Sequence, residues 1–285
     1  MKEKFFCNSW YVEYTPEDGA RLNRLCYDAY DLLSVEPQPF YPPVKNYGEY
    51  EKRPVYGYDD CFPSVDSCQF PDKDWTVPDH GEICWLEWKS SVEKNKLVFE
   101  VESKVLPVLF KREMNFSDAG LTWKFKVENK GDKTIPFQHV MHPLMKLDDI
   151  KDIELPAFSS VYNETKHSEM KLQNPVEVGD YLFEQRRGLT NMLFLQGINE
   201  GKMKWEYKNG ITIEAIFSDK LFPSIGIWWN NVGYPDEDGL RRNECAFEPI
   251  PGFSSYLNDN YKNGKCMSVL PGRNFEWQIN WNIIK

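Results

Sequence analysis

Apolar residues in this chain return at every second position, one stretch after another, and a chain with that period must fold as sheet. Leu121, Trp123, Phe125 and Val127 alternate with polar residues, the mark of a strand with one buried face. Glu128 to Lys133 then reads as a turn. Met203, Trp205 and Tyr207 alternate in the same way, as do Ile211, Ile213, Ala215 and Phe217 beyond Asn209-Gly210. Asn-Gly accepts the positive φ angles of a type I′ turn, so this segment predicts a β-hairpin. Residues 97–101 and 275–283 alternate too, the latter placing Phe275, Trp277, Ile279, Trp281 and Ile283 on one face.

Helical signals are few. Residues 163–172 hold good helix formers, but no long amphipathic stripe of the kind a helical bundle needs is present. The proline-rich residues 37–43, and residues 54–78 with their several Asp and Pro, read as irregular loops. Neither has the Gly/Ser composition of a flexible linker, and no internal repeat is visible. The expectation is an all-β chain, one large antiparallel β-sandwich spanning residues 1–285, with its site carried on loops. All-β units often run to about 200–250 residues.

The net charge is −10, and Lys and Arg are scattered rather than clustered. That excludes a nucleic-acid binder, which needs a basic surface, and leaves no basic patch for a membrane. A neutral or weakly charged small molecule fits best. Aromatic residues reach 15%, with ten tryptophans. Most suit a sheet core, while some are available to pack on the C–H face of a sugar. The seven cysteines are an odd number with no C-x-x-C pair; with no apolar signal core after Met1 and no run near the roughly 18 residues of a membrane helix, a reducing cytoplasm is expected. Cys61 and Cys68 are close enough in sequence to bridge, but free thiols are the expectation, and no ligand spacing for structural zinc occurs.

Three short stretches carry acid–base groups. His80 lies in Pro78-Asp79-His80-Gly81-Glu82, where Gly81 permits a sharp turn or a close approach of ligand to backbone. His142 follows a strand entry at 135–141 and precedes Pro143, which favours a strand end that presents the imidazole. His139 is three residues away, so on a strand it faces the other side and reads as structural. His167 sits in a polar segment and is assigned no role. Glu248 has Ala246, Phe247, Pro249 and Ile250 around it; partial desolvation there would raise its pKa toward the range useful to a general base. Trp228-Trp229 are adjacent, so one can pack in the core while the other faces a ligand; Trp229 is taken as the binding candidate. Asp236, Glu237 and Asp238 follow in a turn-rich loop that reads as solvated rather than as a cation site.

Taken in order, these pieces resemble the aldose 1-epimerase (galactose mutarotase-like) superfamily over nearly the whole chain. The resemblance rests on 19–33, Gly57-Tyr58-Asp59-Asp60-Cys61-Phe62-Pro63, Asp79-His80-Gly81, Phe110-Lys111-Arg112, Val127-Glu128-Asn129, Pro136-Phe137, His142-Pro143, Ile225 to Asn230, Phe247-Glu248-Pro249 and Leu270-Pro271-Gly272. It implies a β-supersandwich with a site on its concave face. It also implies that Glu248 takes the proton of the anomeric hydroxyl, that His142 protonates the ring oxygen, and that His80 helps bind the sugar, with no metal or redox cofactor. Two departures stand out. Glu82-Ile83-Cys84 occupies the stretch where familiar members carry an arginine, and the second histidine sits in Met-His-Pro-Leu. Asp236 and Asp238 are the candidates for the family's substrate-binding aspartate. Besides a mutarotase of free aldoses, a hexose-6-phosphate mutarotase would need cationic groups at the rim, with Arg112, Arg186 and Arg187 as candidates, and a carbohydrate-binding protein without turnover is the third reading.

Overall fold

The computed structural model describes residues 1–34, 50, 53, 55–235 and 241–284. The 37–43 loop and Asp236, Glu237 and Asp238 lie outside the described residues.

An eight-stranded sheet forms the back of the molecule, in the spatial order Ile150–Glu154, Lys202–Tyr207, Thr212–Ile216, Asn274–Ile284, Gly120–Asn129, Val108–Ser117, Lys96–Glu102 and Lys89–Glu93. Its ladders are antiparallel. Each strand foreseen from alternation is here, and the buried positions are the alternating ones: Leu121, Trp123, Phe125 and Val127 are all buried. The Asn-Gly hairpin also forms, joining Lys202–Tyr207 to Thr212–Ile216. Its turn is not type I′. Gly210 has φ +91°, whereas Asn209 is absent from the positive-φ residues, and the Gly210 amide donates to the Tyr207 carbonyl at 2.9 Å. This is a three-residue turn closed by one left-handed glycine, the next commonest way to join two strands.

Two smaller sheets pack on the inner face of the back sheet. One runs Glu3–Cys7, Trp10–Thr15, Arg21–Tyr27, Tyr58–Cys61 and Val140–Pro143, with Tyr30–Asp31 paired to Arg21–Tyr27. The other runs Met145–Lys146, Asn243–Ile250, Ser224–Asn231, Leu189–Gln196, Ser160–Asn163 and Ser168–Met170. The core between the layers is aromatic. Trp205 of the back sheet stacks on Phe247 at 5.3 Å, Trp123 on Tyr58 at 4.7 Å, and Phe110 meets Phe62 at 5.2 Å. Such side chains dominate core energetics because each removes a large apolar area from water.

The chain passes from the first front sheet to the second at Leu144, just after Pro143 ends the Val140–Pro143 strand. Proline has no amide hydrogen to continue a ladder, which agrees with a strand end at His142-Pro143. Val140–Pro143 then lies against Asn243–Ile250.

Three local readings change. Residues 163–172 do not favour helix: they hold the end of Ser160–Asn163, a turn and Ser168–Met170. The Asn163 side chain accepts the Lys166 amide at 3.0 Å, and His167 takes φ +48°, so local side-chain bonding wins over helix propensity. The helix forms instead at Pro175–Phe183, where Asn174 caps the Glu177 amide at 3.1 Å and Glu177 accepts the Gln173 amide at 2.7 Å. Within 54–78, Tyr58–Cys61 is a fully buried strand rather than loop. All seven cysteines are free.

Arg112 is corrected here. It is fully buried on the inward face of Val108–Ser117, ion-paired with Asp60, donating to the Ala20 carbonyl at 2.6 Å and stacked over Phe99 at 4.3 Å. Asp60 also accepts from Tyr58 at 2.6 Å and bonds His139 Nε2 at 2.9 Å. Burial alone would raise the Asp60 carboxyl; Arg112, with His139 and Tyr58, outweighs that and holds it below the usual range. A depressed carboxyl adds stability that is present above the unfolded Asp value, near ~3.9, and is lost as pH falls. Asp60→Ala is therefore expected to strand a buried guanidinium and cost about 3–5 kcal/mol. Urea unfolding near neutral pH measures it, and a loss under ~1 kcal/mol would show that water replaces the carboxylate.

Candidate functional site

A cavity of about 490 Å³ opens on the face of the two front sheets away from the back sheet, and Glu248, His142 and His80 all line it. The extended chain puts them there. On Asn243–Ile250, Cys245 and Phe247 join the core while Glu244, Ala246 and Glu248 take the other face. On Val140–Pro143, Met141 joins the core and His142 turns the opposite way. His142 lies opposite Asp59 in the ladder, and Glu248 opposite Gly226. A Cβ at Gly226 would come within 3.2 Å of Glu248 Oε2 and 2.9 Å of Met192 Cε, so the glycine leaves the carboxyl its space.

The central pair is Glu248 Oε1 and His142 Nε2, 3.8 Å apart. Burial pushes the Glu248 carboxyl up to about 8, with Glu164 and Asp66 adding to the rise and His80 opposing it. Burial also holds His142 well below the usual imidazole range, helped by the positive charges of His80, Arg242, Arg21 and Arg53. Both shifts favour the neutral forms, so near neutral pH the pair holds one proton, on Glu248. Each group is placed to exchange a proton with a ligand in the cavity that reaches both.

His80 reaches the cavity on a strained turn. It has φ +59°, uncommon for a residue with a Cβ, and its amide donates to the Val65 carbonyl at 2.6 Å. Gly81 follows at φ +77°, where a Cβ would meet the Phe62 carbonyl oxygen at 2.1 Å. Gly81 thus serves the turn and its close approach to Phe62. His80 Nδ1 lies 2.9 Å from Asp79 Oδ1. Its ring stacks on Tyr50 and meets the His142 ring at 4.9 Å. Strain of this kind, held by surrounding bonds, gathers at functional sites.

Two candidates fall elsewhere. Arg112 is in the core, as described. Trp229 shares its side of Ser224–Asn231 with Ile225 and Ile227, is 2% exposed and packs edge-on to Phe183 at 5.1 Å. Its neighbour Trp228 lines the cavity, with Nε1 3.2 Å from Glu244 Oε1. Arg186 and Arg187 are exposed after the Pro175–Phe183 helix and do not line the cavity. His139 is fully buried against Asp60 and Phe125.

Several lining groups were not singled out in the sequence. Glu244 shares the parity of Glu248 and pairs with Arg242 at 2.9 Å, a signal that alternation alone provides. Tyr50, Asp66, Glu164 and Ser255 come from segments far apart in sequence. Ser255 Oγ is 2.6 Å from Asp66 Oδ2 and 2.7 Å from Glu164 Oε1. A hydroxyl has one proton, so it donates to one carboxyl and accepts from the other. Burial pushes Glu164 up to about 7, assisted by Asp66 and opposed by the bond it accepts from Ser255.

No protein-family model matches this chain, and no curated protein does. Solved structures do. A galactose mutarotase related enzyme from Lactobacillus acidophilus is 18% identical, with TM-score 0.69, over 100% of this chain and 98% of that one. A galactose mutarotase-like protein from Clostridium acetobutylicum is 14% identical, with TM-score 0.67, over 100% and 98%. A protein from Synechocystis sp. PCC 6803 is 14% identical, with TM-score 0.74, over 99% and 95%. Identities this low carry the architecture alone. The fold of this chain is the galactose mutarotase-like β-sandwich.

Proposed function

We propose that the cavity interconverts the α and β anomers of an unphosphorylated aldose by opening and closing its ring. The observation that carries this reading is the 3.8 Å gap between Glu248 Oε1 and His142 Nε2. Opening a cyclic sugar needs a proton delivered to the ring oxygen and another removed from the anomeric hydroxyl, and one carbon bears both oxygens. An acid and a base this close together can each come within hydrogen-bond reach of one of them. The names of the structural neighbours point the same way.

The resemblance assigned the base to Glu248 and the acid to His142. With the resting proton on Glu248, that assignment requires the proton to pass to His142 first. A sugar hydroxyl that reaches both groups can carry that proton across, after which His142 Nε2 protonates the ring oxygen while Glu248 takes the hydroxyl proton. After rotation about the C1–C2 bond both transfers run backward and close the ring on the other face. The cycle needs one proton on the pair, so the rate falls on the acid side as His142 charges and on the alkaline side as Glu248 ionises. Trp228 offers an apolar wall to the sugar's C–H face.

The phosphorylated alternative is disfavoured by charge. Asp66, Asp79, Glu164 and Glu244 line the cavity beside the protonated Glu248, and Arg242 is its guanidinium among the described residues, already paired with Glu244.

Polarimetry from pure α-glucose and α-galactose tests the reading. The wild type is expected to accelerate the approach to equilibrium. Glu248→Gln and His142→Asn should each lose about 10²–10⁴-fold, and hexose 6-phosphates should react more slowly than free hexoses. Equal rates for Glu248→Gln and wild type would remove Glu248 from the mechanism. Calorimetric sugar binding by a wild type that leaves the spontaneous rate unchanged would mark a binding protein instead.

The same carboxyl sets a stability signature. Its folded pKa of about 8 exceeds the unfolded Glu value of ~4.3, so between these limits the folded state holds a proton that the unfolded state has lost. Stability contributed below the lower limit is therefore lost as pH rises through the folded value. Glu248→Gln removes that loss. Its gain in Tm over wild type should grow from pH ~4.5 to ~8 and then level off, reaching on the order of 10 °C, since a displacement from ~4.3 to about 8 is worth about 5 kcal/mol and each kcal/mol about 2 °C or more at this size. A difference that does not change with pH would contradict the burial argument.

A further inference from the structure

Tyr50 touches both histidines of the cavity. Its ring lies flat on the His80 imidazole, centroids 3.6 Å and planes 8° apart, and stands edge-on to His142 at 5.9 Å. Its hydroxyl is 2.6 Å from Asp59 Oδ2 and 3.3 Å from His142 Nδ1. A phenol has one proton to donate and lone pairs to accept with. Asp59, ion-paired with Arg21 at 3.1 Å, only accepts. The phenol proton therefore points at Asp59, the phenol oxygen turns its lone pair to His142, and Nδ1 of that imidazole must carry hydrogen. In the neutral ring the other nitrogen, Nε2, is then the lone pair, and it faces Glu248. Which nitrogen is protonated is decided by the bond the other makes.

We infer that Tyr50 is a positioning residue: anchored on Asp59, its hydroxyl fixes His142 in the Nδ1–H tautomer with Nε2 aimed at Glu248, while its ring clamps His80. Asp59 sits opposite His142 in the ladder, so the backbone that holds the imidazole also holds the acceptor at the far end of the relay. The same chain of bonds serves both states of His142, because Nδ1–H donates to the phenol oxygen whether or not Nε2 is protonated. A hydroxyl-less ring at this position would keep the stack on His80 and lose the tautomer.

The kinetic part of this inference rests on the proposed reaction; the tautomer does not, and the two are measured separately. Long-range ¹H–¹⁵N spectra of the full chain near neutral pH should show His142 as Nδ1–H. In Tyr50→Phe the same ring should move toward the Nε2–H form. By polarimetry, Tyr50→Phe should lower kcat by at least roughly 10-fold, because the ring nitrogen that must exchange the proton is no longer fixed by its partner's bond, with KM little changed because the ring remains. Restored rates should not come from Tyr50→Leu, which lacks both ring and hydroxyl. A wild-type His142 found as Nε2–H overturns the inference whatever the variants do, and so does a Tyr50→Phe spectrum identical to wild type. If no aldose turns over, the proposed reaction fails while the spectra still decide the tautomer.

Discussion

On Asn243–Ile250 the pleat of an extended chain sends Phe247 onto Trp205 and Glu248 into the cavity, and a slip of one residue would exchange them. Exchange would put a carboxyl against an indole and a phenyl ring in the cavity, so the aromatic core of the back sheet fixes the parity of the front strands. The same constraint acts on Val140–Pro143, where Met141 is held in the core and His142 is turned outward, and on Ser224–Asn231, where Trp229 goes in and Trp228 goes out. Three strands with independent parity would rarely agree. Here each is locked by large apolar groups on one side, and agreement on the other side follows. The site is what the core packing leaves over.

The strand Tyr58–Cys61 shows how the fold tolerates charge. Its adjacent acids face opposite ways. Asp60 meets Arg112, His139 and Tyr58 at the back, and Asp59 meets Arg21 and Tyr50 at the front. Asp18 joins the front group through Arg21 at 2.8 Å and through Arg53. Desolvated ions of this kind survive because each finds an opposite charge or a donor. Glu248 is as deeply buried, at 2% exposure, yet its ion-pair contact among the described residues is an imidazole that is itself held neutral. Burial outweighs the opposing charge of His80, so the carboxyl keeps its proton, and the same surroundings that cost the fold stability make that proton available for transfer near neutral pH.

Much of this was legible in the sequence, and some of it was legible but misread. Period-two alternation located the strands of the back sheet, and Asn209-Gly210 located a hairpin, although the turn geometry depends on Lys208 and Asn209 staying at negative φ, which dipeptide preference does not decide. Arg112 shares its side of the strand with Phe110 and Met114, so alternation already places it inward; reading it as a cation at a cavity rim ignored that parity. Trp229 shares its side with Ile225 and Ile227 for the same reason. Tyr50, Asp66, Glu164 and Ser255 carry no such mark. They reach the cavity from loops and short strands whose relation to one another is set by register and crossover, and nothing local to each residue records where the others lie. Helix Pro175–Phe183 did have a local mark, the Asn174-Pro175 entry with Glu177 three residues on from Asn174, a capping pattern that outweighs the propensities of 163–172.

The end of the cavity at Ser255 constrains what can bind more tightly than net charge does. Its hydroxyl lies between two carboxyls at 2.6 and 2.7 Å and has one proton for two bonds, so both bonds exist together only while one of the carboxyls is protonated. With that carboxyl pushed up to about 7, Glu164 changes from a neutral carboxyl below neutrality to an acceptor-only carboxylate above it. A phosphate monoester is anionic at both pH values and is repelled by the charged arrangement. A sugar hydroxyl donates and accepts with the same oxygen and can meet either form of Glu164 by rotating its O–H bond, at no cost in position. Groups of that kind, repeated around a ring with one apolar face for Trp228, suit this end of the cavity better than a fixed charge does, which adds support to the proposed unphosphorylated aldose beyond the Glu248–His142 pair.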